Sequence, residues 1–271
     1  MVAEVVTDQT RLRWWLPKYY WIARLMRYNI LKDREAAEVL SALLSPVEPP
    51  VATLQKLICG KPILVLGAGP SLDNTLSKLV ELGCMNRLIR YYTIVAADGA
   101  TQALLEHGIA PDIVVTDLDG DLGSVITAGI RGAVIIVHGH GDNIVRLRTH
   151  VEVLKRVTLR LLGTTQVEPV YPVANFGGFT DGDRAIFIAE YFGAEKVIMI
   201  GMDFGDVIGR RSKPWLRSDV RASRQKLMKL KIAEELISWL VRDRRLTAFS
   251  VGGRPLENVK KISITEFCRV H

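Results

Sequence analysis

Long apolar runs are missing from this 271-residue chain. None approaches the roughly 18–20 consecutive apolar residues of a membrane-spanning helix. The first residues, MVAEVVTDQTRLRWW, lack a basic start followed by an apolar core, so no secretory signal is expected. Cysteine is scarce. Cys59, Cys84 and Cys268 stand far apart and make no CxxC pair, so no disulfide framework is expected. Internal repeats and low-complexity tracts are absent. Asn and Gln are few and Arg outnumbers Lys, a hint of a thermophilic source. These absences leave a cytoplasmic, soluble protein as the expectation.

What is present suits a well-filled core. The chain is 48% hydrophobic and 24% charged, enough for one large domain or a domain with an appendage. Its net charge of +7 is unevenly placed. Between Arg210 and Lys231 stand nine Lys/Arg against Asp219 alone, a local charge of +8 that leaves the remainder at −1. The basicity is therefore a local device. It could be a solvated helix face or an arm closing on a polyphosphate, since Arg grips phosphate oxygens bidentately. Nucleic-acid binding finds no aromatic platform or known module to support it.

The patterning predicts three regions: a helical N-terminal segment over 1–59, an α/β core over 60–209, and a basic helical arm with a final strand over 210–271. Residues 11–45 read as helical, and Pro46, Pro49 and Pro50 then break the chain. The aromatic residues of that segment (Trp14, Trp15, Tyr19, Tyr20, Trp21) read as packing on the body. From Lys61 onward, short Val/Ile/Leu runs alternate with helical stretches. Strands are expected at 63–66, 92–97, 113–116, 133–137, 157–162, 197–200 and 247–251, and a basic helix over 218–242. Continuous apolar strands separated by helices predict a mostly parallel, doubly wound α/β sheet buried on both faces.

In such sheets ligands bind beyond the carboxyl ends of the strands. Chemistry-bearing residues gather there. Gly67-Ala68-Gly69-Pro70-Ser71 follows one strand and opens a helix. Its glycines would let backbone N–H groups approach a phosphate at the helix N-terminus. It lacks the Lys-Ser/Thr of a P-loop and the third glycine of a dinucleotide fingerprint. Asp98-Gly99 follows the next strand, and Thr116-Asp117-Leu118-Asp119-Gly120-Asp121 the next. In extended chain Asp117 and Asp119 share one side and could hold a hard cation through oxygen. An EF-hand is excluded, because its sixth position would be Leu122 and its twelfth Ala128. His138-Gly139-His140-Gly141-Asp142-Asn143, Asn175 to Asp183 and Gly201-Met202-Asp203 complete the rim.

The run Ala96-Ala97-Asp98-Gly99-Ala100, followed by Pro111 to Asp119, resembles the nucleotide domain of thiamin diphosphokinases, as does Thr180-Asp181. Gly120 stands where that family usually has Ser. The chain after Gly205 is too short for that family's C-terminal β-sandwich. A resemblance over residues 60–205 goes further. GAGPSL, AADGAT, PDIVVTDLDGD, HGHGDN, NFGGFTDGDRA and GMDFG, in this order, are similar to the archaeal 6-hydroxymethyl-7,8-dihydropterin diphosphokinase family.

That resemblance implies a thiamin-diphosphokinase-like catalytic fold and transfer of diphosphate from ATP to a pterin hydroxymethyl group. It implies Mg²⁺ on Asp117 and Asp119, with Asp98 and Asp181 as further ligands. Gly67, Gly69, Ser71 and Asp98, with Arg217, Arg221 and Arg224, would hold the nucleotide and its phosphates. Asp142, Asn175 and Asp203 are unranked candidates for the pterin edge. His140 or a metal-bound alkoxide would act as base. Small-molecule partners are implied, with no nucleic acid and no membrane; a homo-oligomer stays open. A thiamin diphosphokinase, a nucleotide-sugar glycosyltransferase using Asp117-Leu118-Asp119, and a non-catalytic nucleotide-binding module are the competing readings.

Overall fold

The computed structural model describes residues 5–6 and 8–269. Residues 9–44 are helical as expected, in two helices parted at Arg27 to Asn29. The carboxylate of Asp8 accepts the Thr10 and Arg11 N–H groups at 2.9 and 3.0 Å and so starts α1 (Gln9–Met26). Arg27 turns left-handed at φ 56° and ends it. The Asn29 side chain then caps α2 (Ile30–Leu44). After Pro49 and Pro50 a short α3 (Val51–Ile58) leads into the sheet.

The sheet carries eight strands in the spatial order β10-β9-β6-β1-β2-β3-β4-β5, every neighbouring pair parallel. They are β1 (Pro62–Leu66), β2 (Thr93–Ala97), β3 (Ile113–Thr116), β4 (Val134–His138), β5 (Leu161–Thr164), β6 (Lys196–Ile200), β9 (Ala248–Val251) and β10 (Lys260–Ile262). The C-terminal residues therefore extend the same parallel sheet. Strand side chains alternate between two buried faces, as parallel strands require. Ile63 and Val65 face α1, α3, α9 (Asp181–Tyr191) and α10 (Arg224–Arg244). Leu64 and Leu66 face α4 (Leu72–Glu81), α5 (Met85–Tyr91) and α6 (Ala100–Glu106). Under β4 and β5 that second face is covered by α2, α7 (Leu122–Ile130) and α8 (Ile144–Val157).

Two expected boundaries move. Val157 ends α8, because its apolar stripe of Leu147, Val151 and Leu154 keeps a helical period. The strand after it starts only at Leu161. The basic helix begins at Arg224, and the residues before it form an antiparallel hairpin of β7 (Val207–Ile208) and β8 (Val220–Arg221).

Of the N-terminal aromatics, Trp15 and Tyr19 are fully buried against the body and Trp14 and Tyr20 half-buried, whereas Trp21 is exposed. Arg11 bolts α1 to α9. Its Nε donates to the Phe176 carbonyl at 2.7 Å, Nη1 to Glu190 at 2.7 Å and Nη2 to the Phe187 carbonyl at 3.3 Å. Among the described residues no helix is long and apolar enough to cross a membrane.

The cysteine expectation is corrected. Cys84 and Cys268 form a disulfide, with Cα atoms 5.7 Å apart. It ties the final helix, α11 (Ile264–Arg269), to the turn between α4 and α5. The two residues are 184 positions apart, so spacing along the chain could not reveal the pair. Cys59 is free and exposed. Closing so long a loop restricts the unfolded chain, so reduction should cost about 2–4 kcal/mol of stability. Calorimetry with and without reductant should show Tm falling by roughly 5–15 °C, and Cys268→Ala should reproduce the fall without reductant. Three titratable thiols in the unreduced, unfolded protein would contradict the bridge.

Candidate functional site

The chain winds from β1 outward to β5, then returns to lay β6 on the other side of β1. The direction of winding thus reverses between β6 and β1, and in this fold class the ligand crevice opens there. One cavity of about 330 Å³ runs from that point along the carboxyl rim. In spatial order it meets Gly201 to Asp203 after β6, Gly67 to Gly69 after β1, and Asp98 and Gly99 after β2. It continues past Asp117 and Asp119 after β3, His138 and His140 to Asp142 at β4, and Gln166 after β5.

Asp98, Asp117 and Asp119 converge at the centre. One carboxylate oxygen from each lies within 4.8 Å of the others. The extended-chain argument for this pair is corrected: the two aspartates meet through a turn. Leu118 sits at φ 64° and buries its side chain. The Asp119 N–H folds back onto Asp117 Oδ1 at 3.2 Å. Thr116 Oγ1 donates to Asp98 Oδ1 at 2.7 Å and accepts the Leu118 N–H at 2.9 Å, which links the two loops. A Cβ on Gly120 would stand 2.5–2.7 Å from the Asp98 carboxylate, so glycine is what lets Asp98 close in. Asp121 turns away to cap α7, accepting the Ser124 N–H at 2.9 Å.

The β4 loop braces the trio. His140 Nε2 lies 3.2 Å from Asp117 Oδ2, and its Nδ1 accepts the Asp142 N–H at 3.3 Å. With Nδ1 accepting, Nε2 carries the proton that Asp117 receives. Asn143, fully buried, donates to the Asp117 and His138 carbonyls at 2.8 and 2.7 Å.

The β7–β8 hairpin folds over the β1 and β2 loops. Arg210 Nε and Arg211 Nε reach Asp73 at 2.8 and 3.1 Å, and Arg211 Nη2 reaches Glu106 at 2.5 Å. Ser212 Oγ donates to the Ala68 carbonyl at 3.0 Å. A Cβ on Gly99 would overlap the Arg211 carbonyl, so Gly99 is the seat of this arm. Anchored this way, the arm lays Lys213 in an ion pair on Asp119. Lys226 and Lys229 of α10 line the same wall.

The remaining expected residues fall on both sides of the cavity wall. Asp142, Asp181 and Asp203 line it. One Asp203 oxygen already accepts the Ser71 N–H and hydroxyl at 2.9 and 2.7 Å, so the anion at the start of α4 is the protein's own. Asn175 lies outside the lining and is buried in a turn. Its Nδ2 donates to the Val167 carbonyl at 2.7 Å and its Oδ1 accepts the Gly177 N–H at 2.9 Å. Arg217, Arg221 and Arg224 are exposed and lie outside the lining too. The basic stretch does reach the cavity, but through Lys213, Lys226 and Lys229.

Sequence reasoning also missed the wall opposite. Tyr28, Lys32 and Asp33 from the α1–α2 segment, Gln166 and Phe179 close the β4–β5 end of the cavity. Gly139 and Gly141 carried a signal for it. A Cβ on Gly141 would come 2.7 Å from Lys32 Cβ, and one on Gly139 3.3 Å from the Ala36 carbonyl. These glycines let α2 settle on the β4 loop.

Burial, then Asp117 and Asp119, push the Asp98 carboxyl up to about 7. Burial and the same neighbours raise Asp181. Burial works against the Asp117 charge, yet the hydrogen bonds from His140 and Asp119 hold its carboxyl well below the usual range. An acid whose folded pKa is raised makes folding less favourable as pH climbs from its unfolded value, near 4, to about 7. The depressed Asp117 acts only below that window. Removing the Asp98 charge should therefore help most at high pH. In chelator, Asp98→Asn should gain on the order of 1–3 kcal/mol over the parent between pH 5 and pH 8. Denaturant melts of both proteins would read this; a difference that is flat or reversed in pH would contradict it.

Comparison with known proteins gives the family. The pattern of the MptE-like family, described as 6-hydroxymethylpterin diphosphokinase MptE-like, matches residues 37–209. Three relatives carry the name 6-hydroxymethyl-7,8-dihydropterin pyrophosphokinase. The protein from Pyrococcus furiosus is 44% identical over 238 residues, 86% of this chain and 96% of its own. That from Methanothermobacter thermautotrophicus is 40% identical over 84% of this chain and 94% of its own. That from Methanocaldococcus jannaschii is 42% identical over 77% and 87%. Among solved structures, the MAf glycosyltransferase of Magnetospirillum magneticum aligns with 85% of this chain and 39% of its own at 15% identity, with a TM-score of 0.45. With the matched pattern spanning the rim loops from β1 to β6 and relatives aligned over most of both chains, this chain belongs to the MptE-like 6-hydroxymethylpterin diphosphokinase family.

Proposed function

We propose that this protein transfers diphosphate from ATP to the hydroxymethyl group of 6-hydroxymethyl-7,8-dihydropterin and releases AMP. The observation that carries the reading is the position of Asp98, Asp117 and Asp119. They stand midway along one cavity, with the glycine loop of β1 on one side and the β4–β5 end on the other. Attack on the β-phosphorus of ATP needs the alcohol and the departing AMP on opposite sides of it. A linear rim with charge-handling groups at its centre suits that geometry.

The donor set also fits the cation this chemistry needs. Three carboxylates and no thiolate or imidazole in the cluster suit a hard, oxygen-seeking ion, and Mg²⁺ is the ion that travels with ATP. Asp98, Asp117 and Asp119 would hold it, with Asp181 beside them as a further ligand. Such an ion, when bound, neutralises phosphate oxygens as charge develops. Lys213 on Asp119 supports the same assignment, since the trio already draws the nearest ammonium to itself.

The protein's own groups do the rest. Gly67 and Gly69 line the nucleotide side of the crevice by close approach only, since their N–H groups are already donated to the Ile200 and Gly201 carbonyls at 2.9 and 2.8 Å, not held out to phosphate as expected. Lys213, Lys226 and Lys229 take the phosphate charge that was expected of Arg217, Arg221 and Arg224. His140 has both ring nitrogens engaged, so we assign it to orienting Asp117 rather than to removing the alcohol proton. Reliance on ATP supports action in the cytoplasm.

Incubation with ATP, Mg²⁺ and the reduced pterin should give pterin-dependent AMP. Thiamin-dependent AMP, sugar transfer from a nucleotide sugar, or nucleotide binding without turnover would each refute the reading. Asp119→Asn should lower kcat on the order of 10²–10³-fold with the fold intact by circular dichroism. Near-parental turnover would remove Asp119 from the site. Gly120→Ala, which presses on Asp98, should lower kcat at least about tenfold; unchanged kcat would show that Asp98 can yield without cost.

A further inference from the structure

At its β4–β5 end the cavity extends beyond the phosphate-handling groups. Tyr28 and Phe179 form an aromatic wall there, with ring centroids 6.0 Å apart. The Tyr28 hydroxyl is buried and has no hydrogen-bond partner among the described residues. Asp33 and Gln166 line the same cavity though only 4% and 3% exposed.

Asp33 is held by neutral donors alone. The Gly141 N–H donates to its Oδ1 at 2.7 Å, and the Tyr19 hydroxyl donates to its Oδ2. Gln166 Nε2 donates to that same hydroxyl at 3.2 Å, which fixes the direction of the chain from Gln166 through Tyr19 to Asp33. Asp33 makes no ion pair among the described residues. A carboxylate offers about four lone-pair sites, and two are used here. A buried carboxylate without a cation is costly, and N–H donors on a ligand would repay part of that cost.

We infer that Asp33 reads the amino-pyrimidinone edge of the acceptor. The inference rests on the diphosphokinase reading above. That edge places a ring N–H beside an exocyclic amine, two parallel donors that one carboxylate can accept together. Tyr28 and Phe179 cover the ring face. One to two strand spacings, roughly 5–10 Å, separate the β3 aspartates from the β4–β5 end. The hydroxymethyl group then lies at the aspartates while the opposite edge meets Asp33. The N-terminal helices are on this account half of the acceptor site, and Asp33 determines acceptor specificity.

The test separates acceptor from nucleotide. Asp33→Asn should raise KM for the reduced pterin roughly 10–100-fold, the worth of a charge-assisted hydrogen bond. KM for ATP should stay within about twofold. An acceptor with oxo in place of the 2-amino group should be turned over poorly by the parent, and Asp33→Asn should close most of that gap. Should Asp33→Asn fail to fold, Tyr28→Leu, which removes the ring wall, carries the test with the same split at smaller size, roughly 3–10-fold in pterin KM. An unmoved pterin KM, or equal rises in both KM values, would overturn the inference while parental AMP formation keeps the diphosphokinase reading. If the parent forms no pterin-dependent AMP, that reading falls. Equilibrium binding of the pterin, followed by its own fluorescence, then decides the inference: binding weakened by Asp33→Asn sustains it, and no binding or equal binding overturns it.

Discussion

Three carboxylates held within 4.8 Å of one another repel, and much of the rim is organised to keep them there. Thr116 ties Asp98 to the turn after β3, His140 and Asn143 hold Asp117 from the β4 loop, and Gly120 removes the atom that would push Asp98 back. Among the described residues, Lys213 brings in the one ion-paired ammonium on the trio, from an arm that is itself anchored to Asp73 and Glu106. The local electrostatics record the tension. Burial and its neighbours hold Asp98 up to about 7, while donors keep Asp117 ionised. A site this strained in charge suits a cation, whose binding would relieve what folding leaves unbalanced.

The parallel sheet turns that cluster into a path. Its strand order sets the β6–β1 crevice, the aspartates and the β4–β5 end in a row along one edge. The appended elements then close the row from above. The hairpin and α10 bring lysines to the middle, and α1 with α2 bring Tyr28 and Asp33 to the far end. Regions that looked like a helical preface and a basic tail are walls of the same cavity.

Legibility in the sequence followed locality. Asp98, Asp117, Asp119 and the β1 glycines could be found because each lies directly after a Val/Ile-rich strand, and strand ends in such a sheet share one rim. Asn175 was misplaced for a local reason: in NFGGFTDGD the glycines at 177 and 178 take φ 89° and 90°, and Asn175 and Asp183 serve that turn, leaving Asp181 to face the cavity. Lys213 and Asp33 were hidden because tertiary docking, not sequence spacing, brings them in. Within a run of nine basic residues nothing local separates Lys213 from Arg217; the hairpin register and the seat at Gly99 do. Cys84 and Cys268 were hidden for the same reason, since their pairing depends on β9 and β10 returning the chain to α4.

The most direct test of the central claim is where a divalent ion sits. Mn²⁺, which can stand in for Mg²⁺ at oxygen sites, can be titrated by electron paramagnetic resonance with a non-hydrolysable ATP analogue, using the parent and Asp98→Asn/Asp117→Asn. The account predicts a parental site in the presence of nucleotide that weakens at least about 30-fold, some 2 kcal/mol, in the double variant. Equal Mn²⁺ affinity in the two proteins would show that the ion is held elsewhere and that the converging aspartates serve another purpose.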